Sequence, residues 1–87
     1  MVHFFYFTGM KTVTLYTKPG CHLCESVEEM LATVGRGRPF TFVRRDISED
    51  VADYEMYKHD IPVVQVDGVE IARHRLSREQ LVDALDS

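Results

Sequence analysis

Tyr16-Thr17-Lys18-Pro19-Gly20-Cys21-His22-Leu23-Cys24 holds the only two cysteines of an 87-residue chain, two residues apart, at the junction of two different periodicities. Upstream, Thr12-Val13-Thr14-Leu15-Tyr16-Thr17 is rich in β-branched and aromatic residues, which predicts a strand. Lys18-Pro19-Gly20 breaks it. From Cys21 onward Cys24, Val27, Leu31 and Val34 recur at spacings of three and four, with Glu25, Glu28 and Glu29 facing away; this predicts an amphipathic helix. Its acidic residues fall in the early turns, where the helix dipole favours negative charge. Gly35 is the expected stop.

Further downstream, Phe40 to Arg45 alternates in the manner of a second strand. Ser48 offers an N-cap for a short helix with Val51 as its first apolar residue, running to about Lys58. Val63-Val64-Gln65-Val66 and Val69-Glu70-Ile71-Ala72 flank Asp67-Gly68, a strong short-range hairpin signal. Ser77-Arg78-Glu79-Gln80 has capping-box spacing, and Leu81, Val82 and Leu85 give the last helix an apolar stripe. The order is β-α-β-α-β-β-α. The first three elements form a βαβ unit, whose right-handed crossover makes its strands parallel, and the hairpin completes one mixed sheet.

The length suits a single domain with a modest core. Hydrophobic residues at 45% and charged residues at 28% are ordinary for a globular protein and exclude wholesale disorder. A net charge of −4 counts against nucleic acid or an anionic membrane as partner. No stretch reaches the roughly 18 apolar residues of a membrane-spanning helix. Met10-Lys11 reads as the start of the domain, giving residues 10–87. The apolar, aromatic residues 1–9 lack the marks of a signal peptide. They are read as a frayed, disordered tail or a start-site artefact, with an added edge segment as the remaining choice.

A bridge from Cys21 to Cys24 closes too short a loop to restrain the unfolded chain much, so the pair is better explained by chemistry than by stapling. Secreted proteins of this size carry several disulfides, which makes a reducing, cytoplasmic location the expectation. At a strand-to-helix turn, Cys21 meets unpaired backbone N–H groups and the positive end of the dipole. Both favour thiolate over thiol and predict a pKa below the roughly 8.5 of a free cysteine. Lys18 adds a nearby positive charge. His22 either assists the thiolate or a leaving sulfur, or simply faces solvent. Leu23 offers an apolar contact beside the sulfur. Ile61-Pro62 precedes a strand, where proline costs no ladder hydrogen bond.

The Tyr16–Cys24 stretch closely resembles the active-site segment of glutaredoxins, in which a strand ending in Tyr-Thr-Lys-Pro leads into Cys-x-x-Cys. Ile61-Pro62-Val63-Val64 and Asp67-Gly68 fall where that family has its cis-proline and hairpin. The likeness runs from about Lys11 to Leu85, and is greatest to short bacterial glutaredoxin-like proteins with Cys-His-Leu-Cys. It implies a thioredoxin-like fold with a four-stranded mixed sheet and helices on both faces, a cis Pro62 facing the cysteines, and an Ile61 backbone that pairs with substrate. Lys18 would then meet a carboxylate of glutathione or polarise Cys21. One departure stands out. The family's Gly-Gly-x-Asp is replaced by Ala72-Arg73-His74-Arg75, which counts against glutathione in the usual pose. Arg73 and Arg75 would hold other carboxylates or be plain surface charge.

The activity these residues imply is reduction of protein or small-molecule disulfides, with Cys21 attacking and Cys24 resolving. No bound cofactor is required. Glutathione or thioredoxin reductase would supply electrons to a monomeric enzyme. The rival reading is a metal or iron–sulfur carrier, since two thiolates make half of a four-thiolate site that a dimer or external thiols would complete. His3, His59 and His74 show no ligand spacing relative to the cysteines. A third reading is an adaptor whose cysteines do little.

Overall fold

The computed structural model describes residues 10–87, so the reading of residues 1–9 lies outside the described residues. The elements are β1 (Thr12–Thr17), α1 (His22–Gly37), β2 (Thr41–Asp46), a 3₁₀ turn (Ile47–Glu49), α2 (Val51–Tyr57), β3 (Val63–Val66), β4 (Val69–Arg73) and α3 (Arg78–Asp86). The strands form one mixed sheet in the order β2-β1-β3-β4. As the βαβ reading requires, β1 and β2 run parallel; β3 runs antiparallel to both β1 and β4.

Strand β1 alternates strictly, with Val13, Leu15 and Thr17 buried. Val13 and Leu15 point at α1, whose Val27, Leu31 and Val34 form the expected stripe, and the cluster continues to Leu81 of α3. Helices α1 and α3 therefore cover one face. The other face carries a smaller cluster in which Ile47, Tyr57 and Val63 pack with Tyr16 and Ile61, and α2 lies over it. Tyr16 and Tyr57 stack with centroids 4.4 Å apart. Desolvation beside Tyr57 raises the Tyr16 phenol above its ordinary value. Strand β2 is an edge, largely exposed. Among the described residues no helix is long and apolar enough to cross a membrane.

The hairpin forms as the Asp-Gly pair demands. Asp67 and Gly68 both have positive φ, 50° and 83°, the backbone of the tight turns that match strand twist. Asp67 also fastens the turn to β1. Its carboxylate accepts from the Thr12 N–H at 2.8 Å, and its own N–H donates to the Thr12 carbonyl at 2.8 Å. The capping box at α3 is complete: the Gln80 N–H donates to Ser77 Oγ at 3.0 Å, and the Ser77 N–H donates to Gln80 Oε1 at 2.8 Å.

Two local expectations need correction. Gly35 does not stop α1, which runs on to Gly37. A Cβ at position 35 would come within 3.2 Å of the Phe40 ring, so this glycine makes room for packing rather than ending a helix. Nor does Ser48 cap α2. Asp50 does, accepting from the Asp53 N–H at 2.9 Å. Ser48 sits in the 3₁₀ turn that buries Ile47, and its hydroxyl donates to Asp46.

Candidate active site

Parallel β1 and antiparallel β3 and β4 bring three segments to one end of the sheet. Residues 18–24 leave β1 there, residues 60–62 enter β3, and residues 73–76 leave β4. The register pairs Tyr16 with Val63, which places Pro62 beside Thr17, at the mouth of the turn that carries Cys21.

Gly20 has a φ of 84° with open space around it, so its role is to let the chain reverse into α1. Cys21 is then the N-cap itself, with extended backbone (φ −90°, ψ 105°). Its Sγ accepts from the Cys24 N–H at 3.1 Å, and its carbonyl accepts from the Glu25 N–H at 3.1 Å. Cys21 and Cys24 are joined as a disulfide with Cα atoms 5.3 Å apart. The two sulfurs have unequal access. Cys21 is half-buried, whereas Cys24 is 1% exposed and belongs to the buried stripe of α1.

The other candidate residues surround this pair unevenly. The His22 side chain is 93% exposed, with Nδ1 3.5 Å from Glu25; this is the solvent-facing arrangement. Leu23 is 53% exposed and, with Val27, Met30, Leu76 and Arg75, lines a shallow groove of about 210 Å³. Lys18 is half-buried, and its carbonyl accepts a long 3.4 Å bond from the Cys21 N–H. The Ile61–Pro62 bond is cis and Pro62 is fully buried. The Ile61 N–H donates to the Tyr57 carbonyl at 3.2 Å, and Pro62 O accepts from the His74 N–H at 2.7 Å.

Arg73 differs from the sequence reading. It is an exposed charge, 42% accessible, but one already paired within the protein rather than left for an external carboxylate. Its Nε and Nη2 fork onto the two oxygens of Glu70, both at 2.6 Å, while Nη1 lies 2.9 Å from Asp60. The hydrogen bonds to Glu70 raise the guanidinium pKa further and hold the Glu70 carboxyl below its usual range. Asp60 was not singled out in the sequence. It lies 13 positions from Arg73, and no local spacing signals such a pair. Arg75, by contrast, has no carboxylate partner among the described residues, and neither does Lys18. Among the described residues, no three His, Cys, Asp or Glu side chains gather as a metal site. A larger apolar cavity of about 350 Å³, between α1 and β2 around Leu31, Phe40 and Phe42, contains neither cysteine.

Comparison with known proteins gives a consistent picture. Residues 12–86 match the family described as Glutaredoxin-like domain (DUF836). A glutaredoxin-like protein of Dictyostelium discoideum, described as a YDR286C homolog, is 30% identical over 81 residues, covering 86% of this chain and 75% of that protein. An X-ray structure of protein XcR50 from X. campestris superposes with a TM-score of 0.70 at 31% identity, covering 85% and 95% of the two chains. A mutant thioredoxin from Halobacterium salinarum superposes with a TM-score of 0.65 at 16% identity over 87% and 72% of the chains, and so shares the fold. With a cysteine pair at disulfide distance at the head of α1, the chain has a thioredoxin fold and belongs to the glutaredoxin-like (DUF836) family.

Proposed function

We propose that the protein is a thiol-disulfide oxidoreductase acting on protein or small-molecule disulfides in a reducing, cytoplasmic setting. The observation that carries this reading is the unequal access of two bonded cysteines at a helix N-terminus, Cys21 half-buried and Cys24 1% exposed. An accessible sulfur beside free N–H groups suits attack, and a buried one three residues on suits resolution.

In the reduced enzyme the Cys21 thiolate attacks one sulfur of the substrate disulfide. That bond breaks, the departing sulfur takes up a proton, and a mixed disulfide forms on Cys21. Cys24 then loses its proton and attacks Cys21 Sγ, releasing the second substrate thiol. Two electrons have passed to substrate, and the Cys21–Cys24 bridge is restored. Glutathione or a flavin-dependent thioredoxin reductase returns the electrons. Leu23, Ile61, Pro62 and Lys18 form the substrate side. With Arg73 engaged by Glu70 and Asp60, Lys18 and Arg75 are the nearby cations left for a carboxylate of glutathione or of a protein substrate.

The test is trapping. A Cys24→Ser variant incubated with a disulfide peptide should accumulate a one-to-one mixed disulfide on Cys21, read by intact mass. A Cys21→Ser variant should accumulate none. Absence of the adduct with Cys24→Ser would sink the proposal. A metal or cluster carrier would need ligands beyond this cysteine pair, and visible absorbance of freshly isolated protein would reveal it.

A further inference from the structure

We propose that Arg73 is a positioning residue for substrate. Through Asp60 it fixes the turn before Pro62 and so holds in place Ile61, whose backbone the family resemblance already assigns to substrate. The proposal rests on the exchange reading above and deepens it, since it concerns how a peptide disulfide docks beside Cys21.

Two N–H groups share one acceptor at the end of α2. The Tyr57 carbonyl receives Asp60 at 2.8 Å and Ile61 at 3.2 Å. The longer bond is the weaker and yields first to a competing carbonyl. Asp60 Oδ2 lies 2.9 Å from Arg73 Nη1 and Oδ1 lies 3.7 Å from His74 Nε2, so Arg73 makes the shorter of the two contacts on the residue whose N–H holds the shorter bond. The other edge of that guanidinium forks onto Glu70 within the same strand, and a planar fork bonded at two points aims its remaining N–H.

The far side of the turn is tied as well. His74, at a φ of 71°, donates its N–H to Pro62 O at 2.7 Å, and its ring Nε2 lies 3.1 Å from the His59 carbonyl. A non-glycine residue in that conformation persists only where its surroundings enforce it. Residues 59, 60 and 62 are thus each anchored. Ile61 keeps one long bond from its N–H, and its carbonyl accepts no hydrogen bond among the described residues. A weakly held donor and a free acceptor on one residue are what an extended peptide strand uses to add itself to an edge.

The test compares Arg73→Gln, Asp60→Asn, the double variant and Arg73→Lys on two substrates: a peptide disulfide of several residues, and hydroxyethyl disulfide, which has no main chain to dock. For the peptide, both single variants should raise KM about three- to tenfold, the size of one modest net hydrogen bond. The double variant should be no worse than either single one, and Arg73→Lys should fall between. The rate with hydroxyethyl disulfide should stay within about twofold of native, since the loss is of one docking bond only. Equal losses on both substrates would show a merely structural role and overturn the proposal, as would an unchanged peptide KM. Amide exchange gives a readout independent of turnover. Asp60 should exchange about three- to tenfold faster in Arg73→Gln, again the worth of one such bond, while Leu15 and Val64 are unchanged. Unaltered Asp60 exchange refutes the clasp itself, whereas faster exchange with no native turnover on either substrate refutes the exchange reading and the positioning role with it.

Discussion

The hydrogen bond from the Cys24 N–H to Cys21 Sγ at 3.1 Å makes the attacking cysteine the N-cap of its own helix. The same N–H is the one that would stabilise a thiolate, so its strength can be read without any redox chemistry. In a Cys24→Ala background, which removes the disulfide and leaves no hydrogen-bonding side chain at position 24, Cys21→Ser and Cys21→Ala can be compared directly. The cavity left at position 24 is common to both and does not bond to either side chain. Serine presents an oxygen to the N3 N–H, while alanine presents nothing. Loss of an N-cap acceptor costs about 1 kcal/mol, within a range of roughly 0.5–2. For a domain of this size each kcal/mol moves Tm by about 4–8 °C. The serine variant should therefore melt about 4–8 °C above the alanine variant by circular dichroism. Equal melting temperatures, or a more stable alanine variant, would mean that the N–H does not serve position 21. Cys21 would then lack the hydrogen bond that favours its thiolate.

The Cys21 thiol in reduced protein should titrate below the roughly 8.5 of a free cysteine when followed by thiolate absorbance, and unfolding should abolish the difference. Gly37→Ala should stabilise by about 0.5–1 kcal/mol in urea titrations, because position 37 is helical and open. Gly35→Leu should destabilise by about 1–3 kcal/mol, because its side chain must displace Phe40. Asp67→Ala should cost about 1–3 kcal/mol, through the lost bond to the Thr12 N–H and the poorer fit of alanine at a φ of 50°, and Asp67→Asn should recover most of it. Asp46 is held below the usual carboxyl range by the Ser48 hydroxyl and N–H, and Glu70 by the Arg73 fork. A depressed carboxyl contributes stability above its unfolded pKa of about 4 and loses it as pH falls through the folded value. Asp46→Asn and Glu70→Gln should thus flatten the fall in denaturant midpoint between about pH 5 and pH 3.

Much of this fold was legible because its signals are local. Asp67-Gly68 could be read since only a few residues tolerate two successive positive φ values, and Ser77 with Gln80 because a capping box spans four residues. The helix stripe of Cys24, Val27, Leu31 and Val34 came from period alone. Gly35 misled because a stop glycine and a packing glycine look identical until the Phe40 ring is placed against one of them. Ser48 and Asp50 are both good caps, and only burial of Ile47 in the intervening turn decides between them. At the site, the cysteine pair and its helix start were readable from the break at Lys18-Pro19-Gly20. The clasp of Arg73 on Asp60 was not, since the partners come from different elements and meet only once β3 and β4 have paired. That meeting changes the meaning of the Arg-His-Arg run from a set of open cations to one anchored arginine and one that has no carboxylate partner among the described residues.

The central claim is exchange through Cys21. Its most direct test is turnover of a disulfide substrate by the native protein, with glutathione and its reductase in one assay and thioredoxin reductase in another. Cys21→Ser and Cys24→Ser would run alongside. The account predicts turnover in at least one system that Cys21→Ser abolishes. Absence of turnover in both, or turnover that survives Cys21→Ser, would contradict it.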